Sequence, residues 1–111
     1  MAYTRVCSLG DLWQGELAAF EAAGRRILLV HTETGHVCAT QARCPHQEGD
    51  LADGSLEGAV LTCSVHQWQF DVTTGKGINP FHAEIALYPV RVEGDEVSVD
   101  TEGIEPKYAH S

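Results

Sequence analysis

The sequence predicts an all-β, antiparallel fold, and three observations carry that reading. Apolar and polar residues alternate over short runs, as in YTRVC at residues 3–7 and EVSVD at residues 96–100. No stretch sustains a helical period. The eleven glycines interrupt the runs often, as in a chain of short strands and tight turns.

Taken in order, residues 3–7 read as a first strand. Ser8 then caps a short helical turn with Asp11 as its capping partner, and Leu12 and Trp13 anchor that turn in the core. Residues 17–21 form a second strand, Gly24-Arg25-Arg26 a turn, and residues 27–31 (ILLVH) a third strand. Residues 36–40 form a fourth after the turn at Glu33-Thr34-Gly35. Short strands follow at 58–62 and 68–71. Residues 88–92 and 96–100 make a hairpin around Glu93-Gly94-Asp95. About nine or ten strands are expected in all. Periodicity stops at Thr101, and the tail 101–111 reads either as a strap or as a frayed end. The chain is expected to be a single domain, 1–111.

Seven basic against sixteen acidic side chains give a net charge of -9. No basic stripe exists to neutralise phosphates, so nucleic acid is an improbable partner, and an anionic membrane is disfavoured for the same reason. A basic protein surface is the natural electrostatic partner. The amino terminus lacks the pattern of a secretory signal, and no apolar run approaches membrane-spanning length. Those features point to the cytoplasm, where thiols stay reduced. Cys7 and Cys38, each in a strand-like run, read as small buried hydrophobes, with a disulfide between them the lesser alternative in a reducing compartment.

The chemistry concentrates between Cys44 and His66. Cys44-Pro45-His46 is followed after sixteen residues by Cys63-Ser64-Val65-His66. Each of two loops offers one thiolate and one imidazole, in the order Cys, His, Cys, His. Three chemistries suit such a set. Structural zinc accepts two Cys and two His, although zinc fingers usually pair like with like. A Cys–His nucleophilic pair would leave the other pair without a role. A [2Fe–2S] centre with two Cys on one iron and two His on the other uses all four.

The two spacings resemble the signature of Rieske proteins, C-x-H followed by C-x-x-H. The resemblance implies a Rieske iron–sulfur fold, an antiparallel β-sandwich with a small cluster-binding subdomain at about residues 42–82. It implies one [2Fe–2S] cluster, with Cys44 and Cys63 on one iron and His46 and His66 on the other. The imidazoles raise the potential above that of all-Cys clusters, into a range of about −150 to +300 mV. Respiratory Rieske proteins join their metal loops by a disulfide. The matching positions here are Gly49 and Val65, which resembles the low-potential ferredoxins. Many family members carry Gly after the second His, where this chain has Gln67. The run 44–48 (CPHQE), Trp68 and Gly77-Ile78-Asn79-Pro80 are similar to the Rieske ferredoxins of toluene monooxygenase systems. By that resemblance the protein is a monomeric electron carrier, not an enzyme. It passes single electrons from an NADH-dependent flavin/iron–sulfur reductase to a diiron hydroxylase acting on aromatic or related hydrocarbons. A ring-hydroxylating dioxygenase, a nitrite reductase or a zinc module are the alternatives.

Around the ligands, Gln47, Trp68 and Pro80 are expected to face the cluster or the docking surface. Glu48 and Asp50 read equally as an acidic docking rim and as a solvated loop. His82 reads as a loop histidine because the set of four is complete without it. His31, His36 and His110 have no partner at ligand spacing.

Overall fold

The computed structural model describes residues 3–45, 49–65, 67–79 and 81–108. Among them lie eleven strands in three antiparallel sheets. The first sheet joins β1 (Thr4–Ser8) to the hairpin made by β10 (Val90–Glu93) and β11 (Glu96–Val99). The second has the order β2 (Leu17–Ala22), β3 (Arg25–His31), β4 (Val37–Gln41) and β9 (Leu87–Tyr88). The third is a meander of β5 (Ser55–Glu57), β6 (Val60–Thr62), β7 (Gln69–Asp71) and β8 (Gly77–Asn79). The all-β, antiparallel reading is therefore correct.

Strand β3 is the wall on which the molecule is built. Its Ile27-Leu28-Leu29-Val30 run is fully buried, and successive side chains point to opposite faces. Ile27 and Leu29 enter one core with Leu12, Tyr88, Val97 and Val99, between the first two sheets. Leu28 and Val30 enter a second core with Leu61, Phe70, Val72 and Ile85, against the third sheet. An uninterrupted apolar run is what a strand buried on both faces requires. Cys44 and Cys63 belong to the second core.

The turns follow backbone chemistry, with two departures from expectation. The β2–β3 connection is Ala23-Gly24, because Ala22 pairs with Arg25. Both residues have positive φ, 53° and 78°. That is the two-residue geometry whose twist matches a hairpin, so Arg25 and Arg26 lie in the strand and not in the turn. Gly58, at φ 62°, begins the corresponding turn between β5 and β6. The run 88–92, expected as one strand, is split at Pro89. Without an N–H, Pro89 cannot continue the ladder. Leu87 and Tyr88 therefore pair with β4, while Val90–Glu93 pairs with β11.

Ser8 caps a 3-10 turn at Leu9–Asp11, and the Asp11 carboxylate accepts from Ser8 N (3.1 Å) and Ser8 Oγ (3.2 Å). Leu12 is buried as expected, but Trp13 is 69% exposed. Trp13 instead lies along the surface, its Nε1 donating to Gly10 O at 3.1 Å. The indole stays satisfied there without entering a core that Leu12 already fills.

The tail is held, although residues 101–108 form no strand. Arg25 donates to Ile104 O and approaches Glu105 at 3.5 Å. Ile104 packs on the first core. Buried Gln41 spends its whole amide on three chain segments. Its Nε2 donates to Arg43 O and Lys107 O, both at 2.8 Å. Its Oε1 accepts from Ala86 N (2.8 Å) and Lys107 N (2.7 Å). Each such bond nets about 1 kcal/mol, but a buried partner left unpaired costs about 1–3 kcal/mol, so Gln41 matters more for what its loss would expose.

Candidate metal centre

Both metal loops are closed by the same backbone device. Cys44 N donates to Gly49 O at 2.9 Å, and Cys63 N donates to Trp68 O at 2.8 Å. In each case the cysteine opens a six-residue loop whose last residue returns a carbonyl to it. The first loop springs from the end of β4 and is braced outside by Leu51 N donating to Ala42 O at 2.7 Å. The second joins β6 to β7, which pair directly through Thr62 and Gln69.

The two loops meet at Gly49. A Cβ added there would lie 2.9 Å from Val65 Cγ2 and 3.0 Å from Cys63 Sγ. Only glycine lets the first loop come this close to the second thiol. The same built Cβ is 3.5 Å from Val65 Cβ, at the short end of the usual disulfide separation of about 3.5–4.5 Å. The positions matched to the respiratory disulfide are thus true neighbours, filled here by packing instead of a bond.

Cys44 and Cys63 have no exposed surface and share one apolar core. Two thiolates on a dry inner face suit an iron–sulfur group, whose sulfur-bound side is then shielded from water. The residues that the structure describes fit the group. His46 and His66, the expected imidazole ligands, lie outside the described residues, as do Gln47, Glu48 and Pro80. None of the four cysteines forms a disulfide. Cys7 is buried in the first core and Cys38 packs against the second, as small hydrophobes do. Burial pushes both thiols up, aided by Asp11 at Cys7 and by Asp71 at Cys38, while Arg5 opposes the shift at Cys7.

Gln67 sits at φ 59°. This left-handed conformation is open to glycine and strained for other residues. It gives a physical reason for glycine at this point of the loop, and this chain accepts the strain. Trp68 is half-buried against the second core, with its ring edge-on to His82 at 6.2 Å between centroids. His82 in turn meets Phe81 at 6.5 Å. Phe81 is 85% exposed and Val65 is 44% exposed. Sequence reasoning did not single out Phe81 as a surface group. An isolated Phe beside a His and after a Pro carries no periodic signal.

Asp50 is engaged within the fold. Its Oδ2 accepts from Arg26 at 2.6 Å and 3.1 Å, and its Oδ1 accepts from Ala52 N at 3.0 Å. It caps the 3-10 turn at Leu51–Asp53 and braces the first loop against β3. His31 donates from Nδ1 to Leu12 O at 2.8 Å, and His36 exchanges a hydrogen bond with Thr34 at 3.1 Å. Both are local braces.

The fold and the paired loops define a class first: a small β protein that seats an iron–sulfur group on two cysteine-initiated loops. The chain belongs to the Rieske [2Fe–2S] domain family, whose model matches residues 2–89. It carries one Rieske-type [2Fe–2S] cluster and is an electron-transfer protein, not a catalytic enzyme. It is 43% identical over 101 residues to the ferredoxin component of the alkene monooxygenase system of Xanthobacter autotrophicus, covering 90% of this chain and 82% of that one. It is 41% identical over 104 residues to the ferredoxin component of biphenyl 2,3-dioxygenase of Rhodococcus jostii, covering 93% and 96%. Among solved structures it is similar to the ferredoxin of carbazole 1,9a-dioxygenase from Nocardioides aromaticivorans, with TM-score 0.81 and 29% identity over 89% of this chain and 97% of that one. Among the described residues no helix is long and apolar enough to cross a membrane.

Proposed function

We propose that this ferredoxin serves a multicomponent monooxygenase, taking single electrons from an NADH-dependent flavin reductase and delivering them to a diiron hydroxylase. The observation that carries the reading is the 43% identity to the alkene monooxygenase ferredoxin over 90% of the chain. Cys44 and Cys63 hold one iron and His46 and His66 the other, in a monomeric, cytoplasmic protein whose whole length acts as one domain. The identical closure of the two cysteine loops supports that ligand set, because it presents Cys44 and Cys63 from equivalent backbone positions. When bound, the cluster accepts and returns one electron per visit. Two visits match one NADH, and with O₂ and two protons they yield one hydroxylated product and one water.

The surface around the second loop supports the docking role. Val65 and Phe81 stand exposed beside it, and Trp68 and His82 back Phe81. An apolar tip on an acidic protein suits a small, transient contact, typically below about 1,200 Å². The acidic surplus steers approach, so rising salt slows association.

The 41% identity to the biphenyl dioxygenase ferredoxin favours a second reading, with a ring-hydroxylating dioxygenase as acceptor. Reconstitution separates the two. The cluster-loaded protein and a reductase are mixed with either a diiron hydroxylase or a Rieske dioxygenase, and NADH-dependent product is measured. Product with the hydroxylase alone is expected. Product with the dioxygenase alone would overturn the monooxygenase reading.

A further inference from the structure

We propose that the C-terminal strap, residues 104–108, is a positioning element for the cluster, acting on the first metal loop through the buried amide of Gln41. This goes beyond the partner assignment and holds whichever oxygenase is served. The family's model ends at residue 89, before the strap begins.

The argument starts from connectivity. Gln41 is the last residue of β4, and its side chain donates to the carbonyl of Arg43, the residue that precedes Cys44. The amide that orients the Arg43–Cys44 peptide is itself fixed by two main-chain bonds to Lys107 and one to Ala86. Ala86 lies where the chain returns from the third sheet to β9, and its own carbonyl accepts from Gln41 N at 3.2 Å. One side chain therefore ties the entry to the first loop, the return from the cluster-binding part, and the tail.

The strap reaches Gln41 along a braced path. Arg25 holds it upstream through Ile104 and Glu105, whereas the Lys107 Nζ, 3.8 Å from Glu84, makes only an exposed surface pair that contributes little. Beyond Gln41 the strap flanks the first loop itself. A groove of about 390 Å³ has Pro106 and Tyr108 of the strap and Gly49 and Asp50 of the first loop among its lining. The second loop is rooted differently, rising directly from the β6–β7 hairpin. With Gly49 packed against Cys63 Sγ, a small displacement of the first loop alters the spacing of the two thiols. Groups that orient metal ligands from outside typically change metal affinity by about 10–100-fold when removed.

The test uses the cluster-loaded protein in three forms beside the parent: the chain ended after Glu105, Gln41→Glu, and Lys107→Ala. Ending after Glu105 removes the Lys107 main chain while leaving Arg25, Ile104 and the Arg43 bond in place. Gln41→Glu removes both amide donors. Lys107→Ala removes the Glu84 ion pair but keeps the main-chain bonds to Gln41. Iron release to a chelator, the reduction potential and the electron paramagnetic resonance g-values of the reduced protein are measured with the melting temperature. The first two variants should release iron about tenfold faster or more, with displaced potential and g-values. Lys107→Ala should match the parent. If the shortened chain melts lower but keeps parental release, potential and g-values, the strap only covers the core and the proposal fails. It also fails if Lys107→Ala reproduces the effect of shortening. Should Gln41→Glu not fold, the shortened chain decides alone.

Discussion

The two metal loops close identically and are supported differently. Each begins with a buried cysteine whose N–H returns to a carbonyl five residues on. The second loop continues a hairpin, with Thr62 paired to Gln69, and its Trp68 also meets His82. The first loop leans on distant parts of the chain: Arg26 through Asp50, and Ala86 and Lys107 through Gln41. A centre shared between two loops needs both loops fixed. Here the second loop is rooted in a hairpin and the first in contacts from Arg26, Ala86 and Lys107, so substitutions in those distant segments reach the first loop directly.

The largest way to break that comparison is at the point where the loops touch. Gly49→Val places atoms against Cys63 Sγ and Val65 Cγ2, which already lie at 3.0 Å and 2.9 Å from a bare Cβ. Most of the bound iron and the visible absorbance should be lost while the far-ultraviolet circular dichroism stays native. Adding Val65→Ala to a Gly49→Ala variant should recover part of the loading, because it clears one of the two close contacts. Normal loading of Gly49→Val would mean that the loops do not oppose each other this tightly.

A smaller effect sharpens the difference between strain in a metal loop and strain in a scaffold turn. Gln67 and Ala23 are the two non-glycine residues with positive φ among those described, one in the second loop and one in the β2–β3 turn. Replacing either by glycine relieves a left-handed conformation at some cost in unfolded-chain entropy, a net gain of about 0.5–1 kcal/mol. A rise in melting temperature of a few degrees is expected for both, about 4 °C per kcal/mol. Only Gln67→Gly should also alter the reduction potential. An unchanged potential in both would place Gln67 with the scaffold.

The smallest effect concerns the thiols that hold no metal. Burial raises the Cys7 thiol above the ordinary value of 9.0, with Asp11 adding to the rise and Arg5 opposing it. The folded state then keeps its proton longer than the unfolded chain does. The stabilising contribution is complete below pH 9.0 and declines as pH climbs from there through the folded pKa. Urea midpoints measured from pH 8 to 10.5 should fall less steeply in Cys7→Ala than in the parent. Parallel slopes would show that Cys7 does not titrate differently in the two states.

Much of the scaffold was legible because it is encoded locally. Ser8 and Asp11 announced their turn, Glu93-Gly94-Asp95 its hairpin, and the ILLVH run its strand. The readings that failed were those in which a long-range partner decides. Trp13 was placed in the core by its type, but Leu12 takes that site. Residues 88–92 looked continuous until sheet pairing put the two sides of Pro89 in different sheets. Asp50 read equally as an acidic rim and as a solvated loop, and neither reading named Arg26, which pairs with it across 24 positions.

The centre divides along the same line. Two spacings of cysteine and histidine narrowed the kind of metal group, and their resemblance to the Rieske signature selected among the chemistries left, because ligand type and loop length are properties of adjacent residues. How closely Gly49 approaches Cys63, and that Gln41 ties the first loop to the tail, were decided only by the tertiary structure. The Gln41–Lys107 bonds span 66 positions. A contact of that range leaves no pattern in either segment, since a buried amide and a main-chain peptide recognise each other by geometry and not by residue type.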